Sequence, residues 1–277
     1  MSSYGSKSEK LKYVIRESLP PMMLRLTHKL RKQNGPSFRE EFASWDEAND
    51  CCTGYDEAAI LDKVLQSTLK VKRGEAIYER DSVLFDEIKY SWPLLSGLLW
   101  QAASSERELN VLDFGGSLGS SYFQNRKFIH SLKNVRWNVV EQTHFVEAGK
   151  AFIQDESLRF YASIDECLNE NEVNAVLLSG VLGYVPDSYA VLDALMEIGA
   201  DTLILDRTSF TNSSEEIIKV QHVPERIFPA TFPCRIFNEE KLIQYISDGG
   251  YQLIRSEERR VGKECRAGWW PYDETKQ

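Results

Sequence analysis

The segment Asp113-Phe-Gly-Gly-Ser-Leu-Gly119 sets a carboxylate two residues before the first of three closely spaced glycines. The apolar pair Val111-Leu112 leads into it, and Ser120 and Ser121 follow with side chains suited to a helix start. A strand that ends in such a turn and runs into a helix offers backbone N–H groups to a ligand at the carboxyl edge of a sheet. Glycine lets the ligand approach the backbone without a Cβ in the way. The spacing narrows the ligand class. The dinucleotide fingerprint is G-x-G-x-x-G, and counted from Gly115 it would need glycines where Ser117 and Ser120 stand. The pattern present is Asp113-x-Gly115-Gly116-x-x-Gly119, which counts against a nicotinamide dinucleotide.

The elements that must hold this turn follow from hydrophobic periodicity. Up to about residue 80 the chain reads as helical and irregular. Ser44-Trp-Asp-Glu-Ala48 is an N-capped helix start, Asp50 to Tyr55 a turn, and Ile60, Leu61, Val64, Leu65 and Leu69 follow helical period from Asp56 to Val71. Glu79-Arg80-Asp81-Ser82 precedes another helical stretch through Trp100. Strands and helices then alternate. Strands are expected at Val111–Phe114, Trp137–Glu141, Leu158–Ala162, Ala175–Ser179, Thr202–Asp206, Arg235–Phe237 and Tyr251–Ile254. Helices are expected at Phe123–Leu132, Phe145–Phe152, Tyr189–Ile198 and Glu239–Ser247, with a helical turn at Asp165–Leu168. This alternation predicts an α/β fold with a mostly parallel, seven-stranded sheet covered on both faces, and an N-terminal helical extension over residues 1–80.

Short boxes along the chain carry a resemblance. They are Trp45-Asp-Glu-Ala48, Gly54-Tyr55, Tyr78-Glu-Arg-Asp-Ser82, Leu112-Asp-Phe-Gly-Gly-Ser-Leu-Gly119, Val140-Glu-Gln142, Leu205-Asp-Arg-Thr208 and Val220-Gln-His-Val-Pro224. The glycine turn resembles the first motif of class I S-adenosylmethionine-dependent methyltransferases. The set as a whole, from about Trp45 to Ile254, is similar to a bacterial family of methyltransferases often encoded among surface-polysaccharide genes. The resemblance implies a Rossmann-like fold, S-adenosyl-L-methionine as cofactor, and a cytoplasmic enzyme acting on a small molecule, a sugar nucleotide or a glycan precursor. It brings no established catalytic residue.

Roles can be assigned on that footing. Gly115, Gly116 and Gly119 let the backbone meet the amino-acid end and ribose of the methyl donor. Asp113 either contacts the donor ammonium, directly or through water, or caps the following turn. Glu141 and Gln142 end the second strand, and Glu141 is placed to accept both ribose hydroxyls; the alternative is a surface glutamate at a strand end. Ala162, Ser163 and Ile164 are expected to line the adenine, and Ser179 and Gly180 to face the methyl group, unless Gly180 only permits a tight turn. Methyl transfer is an in-line displacement that needs a base only for a hydroxyl or neutral nitrogen acceptor. His222 is the candidate base. Tyr184 and Arg207 are candidates to position the acceptor, with Tyr122, Gln142, Thr208 and Gln221 as further options. For Arg207 the alternative is an Asp206–Arg207 ion pair that stiffens a loop, as Glu79–Arg80 would stiffen another.

Composition sets the remaining bounds. The formal net charge of −9 over 277 residues is poorly suited to a general nucleic-acid binder. No apolar run approaches the roughly 20 residues of a membrane span. Five cysteines (Cys51, Cys52, Cys167, Cys234, Cys265) form no C-x-x-C pair, so neither a disulfide frame nor a metal site is expected. The basic segment up to Arg39, with Met22, Met23, Leu24, Leu26 and Leu30 at helical spacing, reads as a docking helix over the main domain or as a peripheral contact with anionic lipid. Residues 81–254 are expected to form the catalytic domain. From Arg255 to Arg266 the sequence resembles the translation of a sequencing adapter, which marks residues 255–277 as a non-native tail. Two other readings stand beside methyl transfer: a non-catalytic Rossmann-like binding or regulatory protein, and an NAD(P)-dependent oxidoreductase.

Overall fold

The computed structural model describes residues 37–52, 57–223, 230–254 and 256. The basic apolar stripe before Arg39, the Gly54-Tyr55 pair, Pro224 and nearly all of the suspected tail lie outside the described residues. The chain divides into a unit that ends at Pro36, also outside them, and a unit from Ser37 onward that contains everything below.

In chain order this second unit opens with β1 (Ser37–Phe42), α1 (Trp45–Asp50), α2 (Glu57–Lys72), β2 (Tyr78–Arg80), β3 (Val83–Phe85) and α3 (Trp92–Ser104). The alternating part follows: β4 (Glu108–Phe114), α4 (Ser120–Ile129), β5 (Asn134–Val140), α5 (Thr143–Ala148), β6 (Leu158–Tyr161), α6 (Ile164–Leu168), β7 (Ala175–Ser179), α7 (Ser188–Met196) and β8 (Thr202–Asp206). The last elements are β9 (Phe210–Thr211), β10 (Ile217–Val223), β11 (Ala230–Asn238) and α8 (Glu239–Asp248).

The central sheet has the order β6-β5-β4-β7-β8, with every neighbouring pair parallel. The chain starts in the middle at β4, winds outward to β6, then crosses back to lay down β7 and β8. Strand alternation sorts the apolar residues into two cores. Val111, Val139 and Leu177 pack with Val64 and Val71 of α2, Leu94 and Leu98 of α3, and Phe123 and Ile129 of α4. Leu112, Val140, Val176 and Leu178 pack on the other face with Leu192 and Leu195 of α7 and Leu242 of α8. Helices therefore cover both faces, and α2 belongs to the same core as the sheet.

Side-chain caps open several of the helices. Ser44 accepts from Glu47 N at 3.2 Å to start α1, as its position in the sequence predicts, and Asp187 accepts from Ala190 N at 3.0 Å to start α7. At the far end of α2, Lys72 Nζ donates to the carbonyls of Phe152, Ile153 and Gln154 at 3.0, 2.8 and 3.4 Å. These belong to the π-helical turn Gly149–Ile153 after α5 and to the residue behind it, where backbone acceptors have no helical partner.

Several expectations are corrected. The central sheet has five strands among the described residues, not seven. The segment expected at Arg235–Phe237 is part of the longer β11, which pairs antiparallel with β10 in a separate sheet ordered β1-β10-β11-β9. Tyr251–Ile254 forms no strand; Tyr251 Oη donates to Ala200 O at 2.9 Å, and Ile254 is 79% exposed. The N-terminal part is not wholly helical, since Ser37–Phe42 pairs with β10 and Tyr78–Arg80 pairs with β3. The stretch through Glu79-Arg80-Asp81-Ser82 is a hairpin whose two turn residues both take positive φ, 53° at Asp81 and 66° at Ser82. That is the turn whose twist matches two antiparallel strands.

Lys72→Met should lower stability by about 1–2 kcal/mol, the scale of hydrogen bonds from a charged donor at a half-exposed site. Chemical denaturation reads this directly; an unchanged midpoint would show that the three carbonyls do not depend on the ammonium.

Candidate functional site

The order of the central sheet reverses between β4 and β7, and a doubly wound sheet binds its ligands outside the carboxyl ends of the strands at such a point. A cleft lies there. It is lined by Gly115, Gly116, Ser117, Ser120 and Ser121 after β4, by Ser179, Gly180 and Tyr184 after β7, by Arg207 after β8, and by Arg80 and Asp81 from the hairpin.

The β4 side is shaped from beneath. Asp113 is fully buried and accepts from the Trp137 indole at 2.9 Å through Oδ2, while Oδ1 has no hydrogen-bond partner. A Cβ on Gly116 would sit 2.6 Å from that carboxyl, and one on Gly115 (φ 67°) would sit 2.4 Å from the Val181 side chain. Both glycines are required for the turn to lie flat on its support. Gly119 (φ 88°) then serves as the N-cap of α4 and supplies no side-chain cap, so the first-turn N–H groups of that helix carry none.

The opposite wall is an ionic arrangement built on β7, β8 and the hairpin. Asp206 accepts from Ser91 Oγ at 2.9 Å and from Ser179 Oγ at 2.6 Å. Arg207 takes a left-handed backbone (φ 56°), uncommon for a residue with a side chain. Its Nε and Nη2 donate to Ser179 Oγ at 3.2 and 3.1 Å, and Nη2 donates to Ser179 O at 2.9 Å. Nη1 stands 4.0 Å from Asp81 Oδ2. Behind the hairpin, fully buried Glu79 accepts from the Ser120 hydroxyl. Burial pushes Glu79 up to about 7 and does the same to Asp113, in each case partly offset by the hydroxyl or indole donor. Burial also raises Asp81, against the pull of Arg207 and then Arg80.

Among the residues expected from sequence, Gly115, Gly116, Ser179, Gly180, Tyr184 and Arg207 come together in the cleft. Others do not, each for a physical reason. Asp113 lies under the turn, enclosed and spent on Trp137, so it makes no direct contact with a cleft ligand. Glu141, raised by burial, accepts backbone N–H groups from Gln142 at 3.1 Å and from Ser117, and thereby clamps the turn from the neighbouring strand. Gln142 is exposed beyond it, before α5. Ser163 is exposed at the end of β6, where its hydroxyl caps α6 by accepting from Glu166 N at 3.1 Å.

His222 is displaced by strand alternation. Its neighbour Gln221 is fully buried and accepts from Tyr184 Oη at 2.6 Å, so Gln221 occupies the face of β10 that meets the site. His222 projects from the other face with its cross-strand partner Thr231, which lies against Cys52 just beyond α1. It is no base for this cleft. Sequence reasoning missed Arg80, Asp81 and Ser120. The Asp81-Ser82 turn carries neither glycine nor asparagine, and the three-residue strands beside it alternate too little to signal a hairpin, so the sequence offers no cue to the first two.

The fold and the cleft together define a Rossmann-like, doubly wound α/β protein. No protein-family model matches the chain, and no curated protein matches it. Solved structures similar to it include the N-terminal domain of EvdMO1 in the presence of SAH and D-fucose (10% identity, TM-score 0.40, covering 68% of this chain and 85% of that one). Another is an S-adenosylmethionine-dependent methyltransferase from Clostridium acetobutylicum (11% identity, TM-score 0.39, 68% and 86% covered). A third is the CcbJ methyltransferase from Streptomyces caelestis (13% identity, TM-score 0.37, 57% and 78% covered). Among the described residues no helix is long and apolar enough to cross a membrane, and no group of three His, Cys, Asp or Glu stands in a metal-binding array.

The two buried acids give a pH dependence with a defined sign. Each binds its proton to higher pH in the fold than in the unfolded chain, where carboxylates titrate near 4. Their contribution to stability is therefore complete below about pH 4 and is lost as pH rises through about 7. Asp113→Asn keeps an acceptor for Trp137 and removes one of the two titrations. The urea midpoint of the variant should fall less than that of the wild type between pH 4 and 7; parallel profiles would exclude Asp113 as a source.

Proposed function

We propose that this protein is an S-adenosylmethionine-dependent methyltransferase acting on a small molecule or glycan precursor, such as a sugar nucleotide, in the cytoplasm. The observation that carries the reading is the cleft at the β4/β7 reversal. One wall is a glycine turn of the Asp-x-Gly-Gly-x-x-Gly form, and the other is a charged wall built from separate elements. Resemblance of the sequence boxes to class I methyltransferases supports the choice of cofactor.

The residues present fit that group. The uncapped N-terminus of α4 complements a carboxylate. Ser117, left-handed at φ 54°, brings the turn against Glu141, which stands beside the cleft lining; a carboxylate has about four acceptor sites, so beyond the two amides it holds Glu141 can also accept ribose hydroxyls. When bound, S-adenosylmethionine supplies a methyl group on a positively charged sulfur. The chain then has three tasks: to hold the donor against the glycine turn, to keep the acceptor in line with the methyl group, and to receive a proton where the acceptor has one to lose. Arg207 and Tyr184 face the turn across the cleft and are suited to the second task. The third needs a group other than His222.

Calorimetry with S-adenosylhomocysteine and with NADH tests the reading: the first should bind and the second should not. Binding of NADH alone would favour an oxidoreductase, and transfer of no label to any acceptor by a protein that does bind would favour a non-catalytic binding role. Glu141→Ala should weaken S-adenosylhomocysteine about 10- to 100-fold, the scale of losing a hydrogen-bonded charged partner. A tritium-transfer screen against nucleotide sugars and other small hydroxyl and amine compounds identifies the acceptor.

A further inference from the structure

Among the described residues Asp81 is the one carboxylate lining the cleft, and its surroundings leave it available. The side chain is 31% exposed. Oδ2 is enclosed by protein without a hydrogen-bond partner, so the exposure lies on the rest of the carboxyl, and Oδ1 is the oxygen open to an acceptor in the cleft. Arg207 is the nearest cation, but its Nε and Nη2 are committed to Ser179 and its Nη1 stops 4.0 Å away, beyond hydrogen-bond reach. Asp206 on the same wall differs, because both of its oxygens already accept from Ser91 and Ser179. Asp81 is also held firmly, at the tip of a two-residue hairpin whose strand β2 is tied to α4 through Glu79 and Ser120.

We propose that Asp81 is the general base for a hydroxyl acceptor, a role that rests on the methyltransferase reading above. The acceptor hydroxyl donates to the Asp81 carboxylate and faces the glycine turn across the cleft. As its oxygen lone pair forms the new bond to the methyl carbon, the carbon–sulfur bond breaks and its electron pair stays on sulfur, giving a neutral thioether. The hydroxyl proton passes to Asp81 and leaves to solvent through the cleft mouth. A hydroxyl is favoured over an ammonium because the Arg207 guanidinium stands beside the carboxylate and repels a second cation. Burial, which raises the affinity of Asp81 for a proton, makes it a better base than an exposed aspartate.

The first test works before any acceptor has been identified. Sinefungin carries a primary amine on carbon where the methyl donor has its sulfonium, so its amine reports charge at the transfer position. The ratio of its affinity to that of S-adenosylhomocysteine should drop about tenfold in Asp81→Asn, because Arg207 is then uncompensated. Asparagine tolerates the left-handed backbone at this position, so the turn is kept. Glu141→Ala should weaken both ligands alike and leave the ratio unchanged. For a hydroxyl acceptor found by tritium transfer, Asp81→Asn should lower kcat about 100-fold with little change in KM for the donor, and Asp81→Glu should recover part of it. Failure of S-adenosylhomocysteine to bind the wild type overturns both this and the reading it rests on. Binding with an unchanged ratio in Asp81→Asn, wild-type kcat in that variant, or a screen in which only amines are labelled overturns the base alone.

Discussion

A carboxyl group cut off from water sits directly under the ligand-facing turn, and its bond to the Trp137 indole fixes where that turn can lie. Asp113 fills the space that a Cβ on Gly116 would need, so the loop has a floor and its backbone is presented upward. Glu141 reaches over from the adjacent strand to hold the Ser117 amide, and the turn is pinned at two points before α4 begins. Burying an acid costs free energy unless it is neutral or well paired. Here the indole satisfies one oxygen, and retention of a proton toward neutral pH reduces the charge on the other.

The charged wall follows a different logic. Arg207 adopts a backbone conformation that a side chain disfavours, and three hydrogen bonds to Ser179 hold it there. Ser179 and Ser91 in turn saturate Asp206. Strain at a sparsely populated φ persists where the surroundings over-determine it, and such positions gather at functional sites. The expected alternative for Arg207, an ion pair that stiffens a loop, is thus present in part: Nε lies 3.4 Å from Asp206. The same side chain nonetheless lines the cleft.

Much of the sheet is legible in the sequence because its strands read as apolar runs, buried in the interior strand Ala175–Ser179 and half-buried in the edge strand Thr202–Asp206. Ala175–Ser179 and Thr202–Asp206 match their expected bounds. What fails is chemistry that depends on partners distant in sequence. His222 looks suitable because it stands in a box, but a period of two residues turns it away and puts Gln221 against Tyr184. Asp113 looks like a ligand contact because strand-end acids often are, yet only the register of β4 beside β5 reveals that Trp137 claims it. The hairpin carrying Asp81 reads as the approach to a helix, since three-residue strands give too little alternation to detect. The seventh-strand expectation at Tyr251–Ile254 rests on apolar content that the fold leaves in the open.

The hairpin that contributes Arg80 and Asp81 is not hydrogen-bonded to the central sheet; it is a two-stranded ribbon contributed by chain that precedes β4. The glycine turn, by contrast, is welded to the sheet by its own strand. The ribbon's share of the cleft is therefore separable from the sheet: residues can be exchanged at its tip without disturbing the register of any parallel strand. Substitution there reshapes one side of the opening and leaves the glycine turn as it is.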